Sequence, residues 1–181
     1  MKIILFSIIS ILLLTSFNKE KALGEVNNVI SYANNNSNKN NYINNIYTGL
    51  KWQCVEFARR YLIINYNITF DSIDNAYNIF DLPYFISLKN NMMIKINKYV
   101  NGSKTPPMKD SLLIWNRYYK NTGHVAIITN IDNDIITIAE QNYNNNSWNG
   151  NNYSRKLKIV FNNGYYIMNN NILGWINYDK I

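Results

Sequence analysis

From Cys54 to Leu62 apolar residues recur at helical spacing (Val55, Phe57, Ala58, Tyr61, Leu62), interrupted by Glu56, Arg59 and Arg60. This spacing predicts an amphipathic helix with Cys54 at or just inside its N-terminus, after a Gly-led turn. Asp71-Ser72 reads as the cap of a second, shorter helix running through Phe80 and stopped ahead of Pro83. The stretch from Tyr84 to Val100 is ambiguous, and Pro106-Pro107 then breaks the chain. Beyond it, short β-branched runs predict strands at Leu112 to Trp115, His124 to Thr129, Ile135 to Glu140, Lys156 to Phe161 and Gly174 to Ile176. The Ile131-Asp132-Asn133-Asp134 turn is tight enough to make the His124 and Glu140 strands an antiparallel hairpin. His124 opens its strand and Glu140 closes the next, so the two are expected to meet. Asn142, two residues further, is expected on the face of Glu140 by period two.

Upstream the pattern changes. A lone Lys2 precedes an apolar run from Ile3 to Leu14, too short for the about 20 residues of a bilayer span. Residues 1–17 are therefore expected to be a signal peptide or a retained signal anchor, with transient membrane contact and a secretory location. Should that segment not act as a signal, the cytoplasm is the expected compartment. Residues 18–46 are dominated by Asn with few apolar anchors and read as a flexible or loosely packed lead-in. The folded domain is expected over residues 47–181, with the Asn-rich loop from Tyr143 to Tyr153 a tolerated insertion rather than a binding loop.

Composition narrows the classes. The 181 residues suffice for one domain with a real core, and 47% hydrophobic residues argue for a packed globule. One cysteine excludes an internal disulfide, and with a single histidine no metal site and no cofactor is expected. The net charge of +7 invites a nucleic-acid reading, but Lys and Arg are scattered without a dense basic run, so no nucleic-acid partner is expected. A basic surface still suits an anionic wall or membrane.

The chemistry then concentrates on few residues. A free cysteine is usually a small buried hydrophobe, and a lone histidine usually a satisfied polar group. Here the cysteine sits at a helix start, where unpaired N–H groups and the dipole favour a thiolate, and the hairpin hands the histidine a carboxylate. Cys54, His124 and Glu140 are thus the nucleophile, base and orienting acid of a candidate cysteine hydrolase. Asn142 is an alternative or supporting orienter. Gln53 is a candidate to help the Cys54 N–H bind an oxyanion. Arg59 and Arg60 either meet a substrate carboxylate at the rim or form a solvated helix face. Trp115, Trp148 and Trp175 read as core or site-wall aromatics.

The blocks K-W-Q-C-V-E-F-A-R-R-Y-L, D-S-L-L-I-W, T-G-H-V-A-I-I-T, I-A-E-Q-N and I-L-G-W, in this order between about Tyr47 and Tyr178, resemble the CHAP family of cysteine amidohydrolases and peptidases, in its glutathionylspermidine amidase branch. The resemblance implies an α+β, papain-like CHAP fold in which a helix carrying the nucleophile packs on an antiparallel β-sheet. It implies Cys54 as nucleophile, His124 as general base and acid, Glu140 as third member, Asn142 as auxiliary and Arg59 near the substrate. A small-molecule amide or peptide substrate follows, with cleavage of a glutathionylspermidine-like amide through a thioester acyl-enzyme as the leading expectation. The chain ends with the amidase-like segment, so synthesis of the conjugate is not expected of it. The export-like segment and positive charge favour, as the alternative, a secreted CHAP hydrolase acting on peptidoglycan amides; a non-catalytic binding domain of CHAP shape is the third reading.

Overall fold

The computed structural model describes residues 20–150 and 152–180. The expected signal segment, residues 1–17, lies outside them. The chain starts with two hairpins, β1 (Ala22–Val26) with β2 (Val29–Tyr32) and β3 (Asn40–Ile43) with β4 (Ile46–Leu50), and continues into the helix α1 (Cys54–Tyr66). The strands β5 (Ile68–Thr69), β6 (Tyr84–Ser87), β7 (Met93–Val100), β8 (Leu112–Trp115), β9 (His124–Asp132), β10 (Ile135–Ala139), β11 (Arg155–Phe161), β12 (Tyr165–Ile167) and β13 (Ile172–Tyr178) follow, with a 3₁₀ turn at Ala76–Asp81. The architecture is mixed but strand-rich.

Nine of these strands form one antiparallel sheet in the order β12-β11-β10-β9-β8-β13-β7-β6-β5. The central strands are apolar on both sides because both faces are covered. Leu112, Ile114, Val125 and Ile127 face the cluster that holds Phe57, Ala58, Tyr61 and Leu62 of α1. Leu113, Trp115, Ala126 and Ile128 face a second cluster with Ile136, Ile138, Leu157, Ile159 and Trp175. The sheet curls around this second cluster and brings β12 back to the segment after β7: Gly102 N–H donates to Tyr165 O at 2.7 Å and Tyr165 N–H to Ser103 O at 2.8 Å. Each fully buried Phe57, Leu62 or Ile127 contributes about 1.5–3 kcal/mol from its apolar area.

The expected hairpin of the His124 and Glu140 strands is present, with Ile135 opposite Asp132 and an irregularity between Thr137 and Ile138. Two expectations are corrected, and one stretch left open is resolved. First, the lead-in of residues 18–46 is, from Ala22 on, ordered as hairpins. Its asparagines supply the turns: Asn27 and Asn28 (φ 46° and 63°) join β1 to β2, and Asn44 and Asn45 (φ 48° and 63°) join β3 to β4. Paired left-handed residues of this kind match the twist of two-residue hairpins, and Asn tolerates them. Leu23, Val26 and Val29 are buried, so few apolar anchors are enough. Second, the helix expected from Asp71-Ser72 to Phe80 is only the 3₁₀ turn Ala76–Asp81, and its N-cap is Asn75 without a side-chain bond. Its buried residues Ala76 and Ile79 are spaced three apart, the period of a 3₁₀ rather than an α-helix. The ambiguous stretch of residues 84–100 forms two antiparallel strands, with Ile94 and Ile96 buried in alternation.

Candidate active site

Helix α1 begins at Cys54, after Gln53 in extended conformation (φ −82°, ψ 160°). The first-turn N–H groups therefore lack intrahelical partners, and the N–H groups of Val55 and of Val125 lie within hydrogen-bonding reach of the sulfur. His124, the cross-strand partner of Trp115, opens β9 directly after Gly123. Gly123 has φ 68°, and a Cβ there would come within 2.6 Å of Trp115 O, so no other residue fits without displacing the strand start. The imidazole packs edge-on against Trp115 with ring centroids 5.2 Å apart and also faces Tyr119 and Tyr143.

Glu140 follows the end of β10, and its Oε2 lies 2.9 Å from His124 Nε2. With Nε2 so engaged, Nδ1 is the nitrogen left for the Cys54 thiol, which is within hydrogen-bonding reach of the ring. The ring thus lies within reach of both the thiol and the carboxylate, and all three groups are buried at 2–8% relative exposure. Burial alone would push the Cys54 thiol up, but the His124 charge, its hydrogen bond and the Val125 and Val55 N–H groups outweigh it and hold the thiol below its ordinary value. Burial would lower His124, yet Cys54 and Glu140 raise it to about 9. Burial would raise Glu140, yet His124 and Arg155 bring it down to about 2. The resting form these directions describe is a thiolate–imidazolium pair steadied by a carboxylate.

The other expected site residues fall differently. Asn142 is not on the strand face of Glu140: β10 ends at Ala139, Asn142 has φ 61°, and its Nδ2 donates to Gln53 Oε1 at 2.6 Å. Asn142 thereby holds the Gln53 side chain, which lines the cleft beside Cys54. Arg59 and Arg60 do not form a solvated helix face, since both are buried. Arg59 Nη1 donates to Thr48 O at 2.9 Å and Nη2 to Asp71 O at 3.0 Å, and the residue is among those that line the same cleft. Arg60 donates through Nε to Glu56 Oε1 at 2.7 Å and through Nη1 to Ile30 O. Trp115 and Trp175 are core, and Trp148 packs edge-on against Phe57.

The contacts of Arg155, Ser154 and Gln141 escape the sequence reading. Arg155 donates from Nε to Glu140 Oε1 at 2.6 Å and from Nη2 to Oε2 at 2.9 Å, and Ser154 Oγ donates to Oε1 at 2.9 Å. Gln141 gives Nε2 to Gln53 O and to Glu56 Oε2, and its Oε1 accepts from Tyr32 N–H. Gln141 therefore ties the helix start, the first hairpin and the segment after β10 to one amide. The signal for Arg155 was topological: the residue that opens the strand antiparallel to β10 lies beside the residue that ends β10. The Asn-rich loop after Tyr143 is tied back as well, through Trp148 N–H to Leu23 O and Asn145 Nδ2 to Asn34 O.

Cys54 opens on a cleft of about 330 Å³ lined by Tyr47, Gln53, Arg59, Asp74, Asn75 and Thr122 among others. Among the described residues no group of three or more His, Cys, Asp or Glu side chains is placed to hold a metal. Such a site can attack an acyl carbon, shuttle a proton and release the acyl group to water.

Comparison with known proteins agrees with this chemistry. Over 143 residues the chain is 39% identical to the bifunctional glutathionylspermidine synthetase/amidase of Escherichia coli (strain K12), an alignment covering 75% of this chain and 23% of the relative. It is 32% identical over 143 residues to trypanothione synthetase of Crithidia fasciculata, covering 74% of this chain and 22% of the relative. The chain thus spans less than a quarter of the length of these relatives. The profile of the CHAP domain matches residues 45–142, a span that contains Cys54, His124 and Glu140 but stops short of Arg155. The chain belongs to the CHAP domain family.

Proposed function

We propose that this chain is a cysteine amidase that cleaves a glutathionylspermidine-like amide to glutathione and a polyamine. The observation that carries the reading is the buried group of Cys54, His124 and Glu140 at a helix N-terminus, open to a cleft. The Cys54 thiolate attacks the amide carbonyl, and the N–H of Cys54 together with the Gln53 amide, steadied by Asn142, stabilises the oxyanion. The His124 imidazolium protonates the leaving amine, so the C–N bond breaks and the polyamine departs, leaving the acyl group as a thioester. The neutral ring then takes a proton from water, whose oxygen attacks the thioester and frees glutathione and the thiolate. Glu140 keeps the ring in the required tautomer throughout.

The relatives whose names carry glutathionylspermidine support the substrate, and Arg59 with Asp74 puts both signs of charge on the cleft wall, which suits a substrate bearing both carboxylates and ammonium groups. The helix-start cysteine packed against an antiparallel sheet supports the papain-like reading of the fold. The test is incubation of the purified chain with glutathionylspermidine and, in parallel, with peptidoglycan peptides, followed by mass spectrometry of the products. The reading expects spermidine and glutathione, with loss of about 10⁴-fold or more in Cys54→Ala. Cleavage of wall peptides but not of the conjugate would leave the cysteine chemistry standing and overturn the substrate.

A further inference from the structure

We propose that Arg155 is a positioning residue of this site: it shares the Glu140 carboxylate with His124, fixing its plane and offsetting part of its charge at the ring. The inference rests on the roles proposed above for Cys54, His124 and Glu140.

The geometry is side-on and two-pointed. Arg155 Nε and Nη2 meet Oε1 and Oε2 of Glu140 at 2.6 and 2.9 Å, Ser154 Oγ takes a further position on Oε1, and His124 takes Oε2. Three of the acceptor directions on the carboxylate are taken by Arg155 and His124, and the Ser154 hydroxyl, whose single proton is equally placed for Ile138 O at 2.9 Å, sits at the fourth, so a turned Glu140 would lose the two-pointed grip. Arg155 is itself immobilised. It opens β11 opposite Ile138, and its guanidinium lies 3.7 Å from the Tyr143 ring centroid and 5.7 Å from that of Trp115. The same Trp115 and Tyr143 flank the imidazole. Two cations therefore share one carboxylate between common aromatic walls.

A lone buried carboxylate at Nε2 would raise the basicity of the whole ring and so make the Nδ1 proton harder to deliver to a leaving amine. A guanidinium on its far side weakens that effect while keeping the carboxylate ionised. The other titratable or charged groups facing the ring are the Cys54 thiol from α1 and the phenols of Tyr119 and Tyr143. Lys120 lies outside these, with Nζ 5.5 Å from the Tyr119 ring and donating to Tyr143 O. Burial and the neighbouring Tyr143 raise Tyr119 to about 12, so its phenol stays neutral through the working range.

The chain has one histidine, so in untagged protein the ring titration is a single nuclear magnetic resonance signal. The titration is run in the Cys54→Ala background, which removes the coupled thiol, and turnover is measured with Cys54 present. Arg155→Met removes the cation and should raise the ring midpoint by roughly half a pH unit or more. Arg155→Lys keeps the cation without the two-pointed grip: its midpoint should stay within about 0.3 pH unit, while kcat falls about tenfold with KM little changed. An unmoved or lowered midpoint in Arg155→Met overturns the proposal, as does undiminished kcat in Arg155→Lys. If Arg155→Met does not fold, the Arg155→Lys split between kcat and ring midpoint decides alone. Full hydrolysis by Cys54→Ala would instead sink the roles on which the inference rests, and leave the ring titration interpretable.

Discussion

Glu140 carries four hydrogen bonds on a side chain that is 1% exposed. A buried carboxylate so placed links the site to stability. Its pKa lies at about 2 in the folded protein against an ordinary 4.5, so its contribution is present above about 4.5 and is lost as pH falls toward 2. The account predicts that Glu140→Gln loses about 3 kcal/mol at neutral pH in urea unfolding, and that the gap to wild type closes as the pH falls toward 2. His124 acts with the opposite sign. Raised to about 9 from 6.5, it adds stability below 6.5 that fades as pH rises through 9. Cys54, His124 and Glu140 were legible because each stands in a short local pattern and one tight hairpin joins two of them. Asn142 was misplaced because the period-two argument ran past Ala139, where the strand ends and Asn142 turns left-handed toward Gln53. Arg155 was invisible locally, since its meaning comes from the strand it opens against.

At the scale of elements, the first hairpin is part of the site rather than a lead-in. Ser31 Oγ donates to Glu140 O, Tyr32 N–H to Gln141 Oε1, and Arg60 Nη1 to Ile30 O. Asn28 at φ 63° is the position where a side chain that resists left-handed backbone is costly. Asn28→Val should lower stability by about 1–2 kcal/mol in urea unfolding while Asn28→Gly stays near wild type. Equal losses in both would place the asparagine's value elsewhere than its backbone. Gln141→Leu removes partners from Glu56 and the Gln53 carbonyl and should cost about 1–3 kcal/mol. Because Gln141 touches the helix start, kcat should fall as well. Helix α1 and the five expected strands were readable from their apolar pattern: β8 and the first part of β9 are buried on both faces, while β11 alternates buried and exposed residues. The hairpins before α1 were not, because asparagine that serves as turn chemistry has the same composition as asparagine in a low-complexity tract. The 3₁₀ turn was read as a helix because Asp71-Ser72 looks like a cap, whereas Asp71 O is spent on Arg59.

At the scale of the whole molecule, a curled nine-stranded sheet holds one end of β9 and β10 against the start of α1, and a cleft opens there. The chain has a single cysteine, so any thiol-directed reagent reports on this one junction. The most direct test is therefore the pH dependence of Cys54 alkylation by iodoacetamide in wild type and in His124→Ala. A thiol lowered by an imidazolium that is itself raised to about 9 predicts fast alkylation beginning well below the ordinary thiol range near 9.0 and a second change as the ring loses its proton. His124→Ala should abolish the low-pH reactivity. A single ionisation at the ordinary thiol value, the same in both proteins, would contradict the account.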